Sequence, residues 1–287
     1  MAVFLPDSKD SNDYWHYPLL GVRQAIEEIS DHGINIEYHF FDLNDEKDFM
    51  QKGNSLVALS PDVVITAPMF EGYQNEVFSQ FEKQHIKYAL IDSDVADSSR
   101  ISFVGQHSAR SGQVAGRLMA TLVGAGSDVL IANVLTGSDI TPVIQKRIEG
   151  FKNHISTHMP GSGILEAKIP LTEANPVDFI RKLSDAKVKG IFVPGSRAHV
   201  VASHLKQNNL DEIKIVGYDL IDRNIQHLKD GNIEFLISQR PVKQGYHGVM
   251  SLFNHLIKKQ VEQENIILPI DIILKENVDD YISSIQL

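Results

Sequence analysis

The sequence predicts an α/β protein made of two parallel-sheet domains, on three observations. Short β-rich runs alternate with helically spaced segments almost from end to end. Eleven strand candidates are too many for one open sheet, so two sheets of five or six fit better. A length of 287 residues at about 150 per domain gives roughly two domains, and 43% apolar content supplies each with a core.

Taken in order, the strand candidates are 2–5, 34–40, 63–66, 87–91, 101–104, 129–134, 163–169, 190–193, 213–217, 234–237 and 270–274. Each joins β-branched or aromatic residues to flanking turn residues. After the first, Val22, Ile26 and Ile29 line one helical face and Gly33 closes the helix. Late in the chain Tyr246, Val249, Met250, Phe253, Leu256 and Ile257 repeat with helical spacing. Such a series implies parallel strands, helices on both faces and right-handed crossovers. In these sheets ligands bind beyond the carboxyl ends of the strands, so the residues just after each strand carry the functional information.

Composition removes several classes of function. Lys plus Arg number 27 against 37 Asp plus Glu, a net charge of −10 that repels a phosphate backbone or an anionic membrane. Zero cysteines exclude disulfides, thiolate metal sites and cysteine nucleophiles. No apolar stretch approaches the roughly 18 to 20 residues of a membrane-spanning helix. The start, Met1 followed by AVFLPDSKD, reads as a strand entering a polar loop rather than a secretory leader, so the expected location is the cytoplasm, unless a natural N-terminus has been removed.

Enzyme and metal signatures are weak. The Gly124-Ala125-Gly126 turn has no third glycine and no phosphate-binding Lys-Ser/Thr. His154 and His158 are spaced like metal ligands, but Ile155 stands where a zinc hydrolase has its glutamate. No nucleophile elbow occurs, and no nucleophile, base and orienting group are tied together. The expectation is therefore no catalytic residue, no metal and no cofactor.

The strand ends are richer. After the first strand come Asn12, Tyr14 and Trp15, a pairing of hydrogen-bonding and flat aromatic groups suited to a sugar ring, or simply to packing the first helix on its sheet. Strand 87–91 runs into Asp92 and Ser93, and strand 213–217 into Tyr218 and Asp219. A carboxylate so placed can accept hydroxyl hydrogen bonds from a vicinal diol, although aspartate is also a common cap and turn residue. Ser196 follows strand 190–193, and Gln239 follows 234–237.

The runs FVGQHSARSGQVAG (103–116), KGIFVPGSRA (189–198), IVGYDLIDRNIQHLKDGNIEFLISQRPVKQGYHGV (215–249) and LPIDIIL (268–274) resemble the effector-binding core of LacI/GalR-type transcriptional regulators and the related type I periplasmic sugar-binding proteins. The resemblance spans essentially the whole chain. It implies two Rossmann-like lobes joined by three hinge crossovers, with a small sugar-like ligand closed between them. The lobes would be 1–105 plus 240–267 and 106–239 plus 268–287. It also implies a ligand set of Asn12, Tyr14, Trp15, Asp92, Asp219 and Gln239, with Ser93 standing where some sugar binders have arginine; Ser196 is added to the set as a donor after strand 190–193. Gln145 joins this set with a departure, since many sugar binders have an arginine there and only Arg147 of VIQKRIEGF fits the pattern. Gly195 likewise stands where an asparagine is common.

The functional expectation is the ligand-sensing domain of a LacI-type regulator. It would act as a homodimer and contact DNA only through an N-terminal helix-turn-helix that this chain lacks, with no membrane partner. The alternative within the fold is a periplasmic sugar receptor of an ABC transporter. An enzyme using Asp92 and Asp219 as acid and base is the rival of another class.

Overall fold

Apolar runs that read as continuous become strands buried on both faces, as parallel strands covered by helices require. Every residue of β1 (Ala2–Pro6), β3 (Val63–Thr66) and β5 (Ser102–Gly105) is buried. In the computed structural model the described residues are 1–285 apart from 71, 96, 136–140, 172–178, 180, 182, 184–186 and 260–264. The chain divides into two units, Met1–Gln106 with Arg240–Pro269, and His107–Gln239 with Ile270–Leu287. It therefore passes from one unit to the other three times.

The first unit has a six-stranded sheet in the order β11-β5-β4-β3-β1-β2, with β2 at Glu37–Phe41, β4 at Lys87–Ile91 and β11 at Asn265–Ile267. Its strand pairings are parallel throughout the described residues. Helices α1 (His16–Glu28), α2 (Glu46–Leu59) and α3 (Tyr73–Lys83) belong to this unit, as does the later α8 (Pro241–Phe253). Asp45 caps α2 by accepting from the amides of Lys47 and Asp48, satisfying two of the first turn's unpaired donors.

In the second unit the order is β12-β10-β9-β8-β6-β7. Its strands are β6 (Asp128–Leu135), β7 (Ile164–Pro170), β8 (Val188–Phe192), β9 (Lys214–Tyr218), β10 (Phe235–Ser238) and β12 (Asp271–Ile273). Among the described residues only the β10–β12 pairing is antiparallel. Helices are α4 (Ser108–Val123), α5 (Pro142–His158), α6 (Ala198–Gln207), α7 (Asp222–Lys229) and α9 (Val278–Ile285). The strand order repeats that of the first unit, so β4 and β9 hold matching places in their sheets. Asp92 and Asp219, the residues that follow them, stand at matching ends.

The parallel-dominated α/β fold expected from the sequence is the one observed, with local differences. The second strand starts at Glu37 rather than 34, β11 has no counterpart among the strand candidates, and the late helix gives way after Phe253 to a π-helical turn over Asn254–Lys258. Helices α4 and α5 pack at glycine crossings. A Cβ on Gly112 would lie 2.0 Å from the Arg147 carbonyl oxygen, and one on Gly150 1.9 Å from that of Ala109. Backbone meets backbone there, which fixes the position of α5 along α4.

Candidate functional site

Each unit carries one cluster of polar groups at its strand ends, and each is built around an aspartate in the left-handed backbone region. Asp92 has φ 66° and Asp219 φ 67°. That conformation is costly for most residues but tolerated by aspartate. It turns the chain sharply where the strand ends and lets the amide pair once more with the next strand. The Asp92 N–H donates to the Val104 carbonyl at 3.1 Å, and the Asp219 N–H to that of Ile237 at 3.0 Å.

In the first unit the Asp92 carboxylate accepts from the Tyr14 hydroxyl at 2.9 Å and from the Ser93 hydroxyl at 3.1 Å. The Asp92 amide also donates to Gln244 Oε1 at 2.8 Å, from a glutamine fully buried on α8. The preceding loop is held by its own aspartates: Asp10 accepts from the Asn12 amide and Asp13 from the Trp15 amide. Asn12 thus lies in a tied turn after β1. Trp15, expected as a flat wall for a ligand, is 3% exposed; it packs edge-on against Tyr14 and belongs to the core with Leu19 and Val22.

In the second unit a buried chain of polar groups runs Arg147, Gln239, Asp219. Arg147 Nη2 donates to Gln239 Oε1, and Gln239 Nε2 donates to both Asp219 oxygens at 3.0 and 3.1 Å. Because the arginine can only donate, it fixes the glutamine amide with its nitrogen toward the carboxylate. Arg147 Nη1 donates to the Pro194 carbonyl at 2.9 Å, and the guanidinium lies 4.0 Å from the Tyr218 ring centroid. Tyr218 is itself fully buried and shares a 2.7 Å hydrogen bond with Ser111; burial pushes its pKa up to about 12, so it stays neutral. Arg147, Gln239 and Asp219 are each less than 5% exposed.

In the second unit Gln145 and Ser196 stand outside the Arg147–Gln239–Asp219 chain. Gln145 is exposed on α5 and donates to Glu149 one turn on, at 3.2 Å. Two positions along a helix is a rotation of about 200°, so Gln145 cannot share the buried face that presents Arg147. Its side chain therefore lies apart from the Arg147–Gln239–Asp219 chain. Ser196 stands half-buried in the loop after β8, where its carbonyl accepts from Asn224. Sequence reasoning missed Gln244 and Asn224, both fully buried. The signal for each was a polar residue in the apolar phase of its helix: Gln244 lies between Val242 and Gly245, and Asn224 lies four before Leu228.

Among the described residues no group of three or more His, Cys, Asp or Glu is placed to hold a metal. His154 and His158 stack face to face, with ring centroids 4.2 Å apart. What the clusters can do is accept and donate hydrogen bonds. An ionised carboxylate braced by neutral donors recognises hydroxyl groups, and charge-assisted bonds of this kind are the stronger class.

Two doubly wound units, each with an aspartate-centred cluster at the carboxyl ends of its strands, define a small-molecule binding protein of the type I periplasmic binding protein fold. The chain belongs to the periplasmic binding protein domain family, matched over residues 2–260. It is 26% identical over 195 residues to the xylose/arabinose-binding protein XylF of Sulfolobus acidocaldarius, covering 63% of this chain and 46% of that protein. It is 24% identical over 200 residues to the ribose import binding protein RbsB of Haemophilus influenzae, covering 66% and 63%. The aligned part thus spans about half to just under two thirds of these curated relatives. Among solved structures, a protein from Bacteroides fragilis, provisionally described as a LacI transcriptional regulator, superimposes with a TM-score of 0.90 at 28% identity, covering 98% of both chains. The glucose-galactose binding protein GanP of Geobacillus stearothermophilus gives 0.80 at 22% identity, covering 96% and 98%, a likeness of fold alone.

Proposed function

We propose that this chain is the ligand-sensing domain of a LacI-type transcriptional regulator whose effector is a small neutral sugar. In this reading the Asp92 cluster of the first unit and the Asp219 cluster of the second each offer a carboxylate to sugar hydroxyls. Asn12, Tyr14, Ser93, Ser196 and Gln239 add hydrogen bonds. An effector that prefers one arrangement of the two units shifts their equilibrium by no more than its differential affinity. A homodimer in the cytoplasm passes that change to a helix-turn-helix outside residues 1–287, since a palindromic operator calls for a two-fold dimer. The observation that carries the regulator reading is the end-to-end likeness to the Bacteroides fragilis protein at 28% identity.

A second reading, a receptor delivering sugar to a membrane transporter, is favoured by the names of the curated relatives, a xylose/arabinose-binding and a ribose import binding protein. One experiment separates the two. The full-length gene product is tested by gel shift on the DNA upstream of its own gene, with and without D-xylose, L-arabinose or D-ribose. The regulator reading expects a shifted band whose intensity responds to one of these sugars. A full-length product that carries a leader peptide in place of a DNA-binding segment, and shifts no DNA, contradicts it.

A further inference from the structure

The geometry points to Asn224 as the positioning residue for the Asp219 carboxylate, an inference that rests on the sugar-binding reading of that carboxylate. Asn224 is fully buried at the start of α7, and its side-chain nitrogen faces three carbonyl oxygens. These belong to Tyr218 at 2.9 Å, Asp219 at 3.0 Å and Ser196 at 2.9 Å. Carbonyls only accept, so the amide orientation is fixed. Its oxygen must then face His199, where it accepts from the backbone N–H at 2.8 Å and from Nδ1 at 3.0 Å. That assigns the ring proton to Nδ1. Burial holds His199 neutral by lowering its pKa to about 4, so the ring stays in this role at physiological pH.

The two carbonyls of Tyr218 and Asp219 flank the Asp219 Cα. Holding both from one amide group, while the Asp219 N–H is held by Ile237, restrains φ and ψ of a residue in the left-handed region. The direction of a Cα–Cβ bond follows from those two angles. Asn224 thereby aims the carboxylate at Gln239 without touching a ligand itself. The nitrogen's two protons are shared among the three carbonyls, one of them in the loop after β8, so Ser196 and Asp219 are set relative to each other by one side chain. In the first unit the Asp92 amide is held by a different buried amide side chain, Gln244, whose Oε1 accepts from it at 2.8 Å.

The test measures dissociation constants for D-xylose, L-arabinose and D-ribose by calorimetry in wild type, Asn224→Ala, Asp219→Ala and the double variant. Asn224→Ala is expected to weaken binding at least about tenfold, and to add little once Asp219→Ala is present, because its effect runs through that carboxylate. A merely structural role would lower the melting temperature in both backgrounds and leave the affinity of the folded protein unchanged. Affinity equal to wild type in Asn224→Ala, or an equal loss in both backgrounds, overturns the inference. Should Asn224→Ala not fold, Asn224→Ser, which keeps one donor, carries the same test. If wild type binds none of the three sugars, the sugar reading has failed. The crystal structure of the variant then decides the positioning role: Asp219 is expected to leave the left-handed region and swing off Gln239, and an unmoved Asp219 overturns the role.

Discussion

Replacing Arg147 by methionine is expected to destabilise the protein by about 3–5 kcal/mol, the usual cost of breaking a buried charged network by removing one member. Methionine keeps much of the volume and the contact with the Tyr218 ring, so the loss isolates the guanidinium. Three things go with it. The Pro194 carbonyl loses its 2.9 Å donor, the Gln239 amide loses the bond that orients it, and the buried Asp219 carboxylate loses the positive charge relayed through that amide. A lysine at the same place would restore charge but not the fork that reaches two acceptors at once. Urea unfolding reads the effect as a lower midpoint in Arg147→Met, only partly recovered in Arg147→Lys. A midpoint shift worth less than about 1 kcal/mol would mean that the network contributes specificity and little stability.

Gly112→Ala should cost about 2–3 kcal/mol through overpacking. The new methyl would stand 2.0 Å from the Arg147 carbonyl oxygen and 2.7 Å from its carbonyl carbon. Those atoms belong to a helix backbone and cannot swing aside as a side-chain tip would. Relief requires α4 and α5 to part by about 1 Å, measured against ordinary non-bonded separations. Because Arg147 rides on α5, the same displacement carries its guanidinium away from Gln239. The control is Gly195→Ala, whose Cβ would meet, among the described residues, Ile144 Cδ1 at an ordinary 3.6 Å, and which should stay within about 0.5 kcal/mol of wild type. Equal melting temperatures for the two alanine variants would show that the helices accommodate the methyl.

Much of the fold was legible because parallel strands covered on both faces are written as largely apolar runs, as in β1 (AVFLP) and β3 (VVIT). The rule that ligand groups follow the carboxyl ends of strands singled out Asp92 and Asp219, and both stand there in the same unusual backbone conformation. What escaped lies at edges and in buried polar phases. β11 is three residues long with exposed ends, too short for any periodicity to register. For Trp15 and Gln145 the residue type alone carried no information on the face each side chain takes. The tryptophan packs into the core, and the glutamine sits about 200° round α5 from the arginine. Asn224 and Gln244 satisfy backbone groups of distant loops, and a distant partner leaves no mark on local spacing.

Titration calorimetry of this chain with D-xylose, L-arabinose and D-ribose tests most directly whether the aspartate clusters bind a neutral sugar. Saturable binding of one molecule per chain is predicted for at least one sugar, weakened about tenfold or more by Asp92→Asn and separately by Asp219→Asn, each of which trades a charged acceptor for a neutral amide of the same shape. Heats indistinguishable from dilution for all three sugars, or affinities unchanged in both variants, would contradict it.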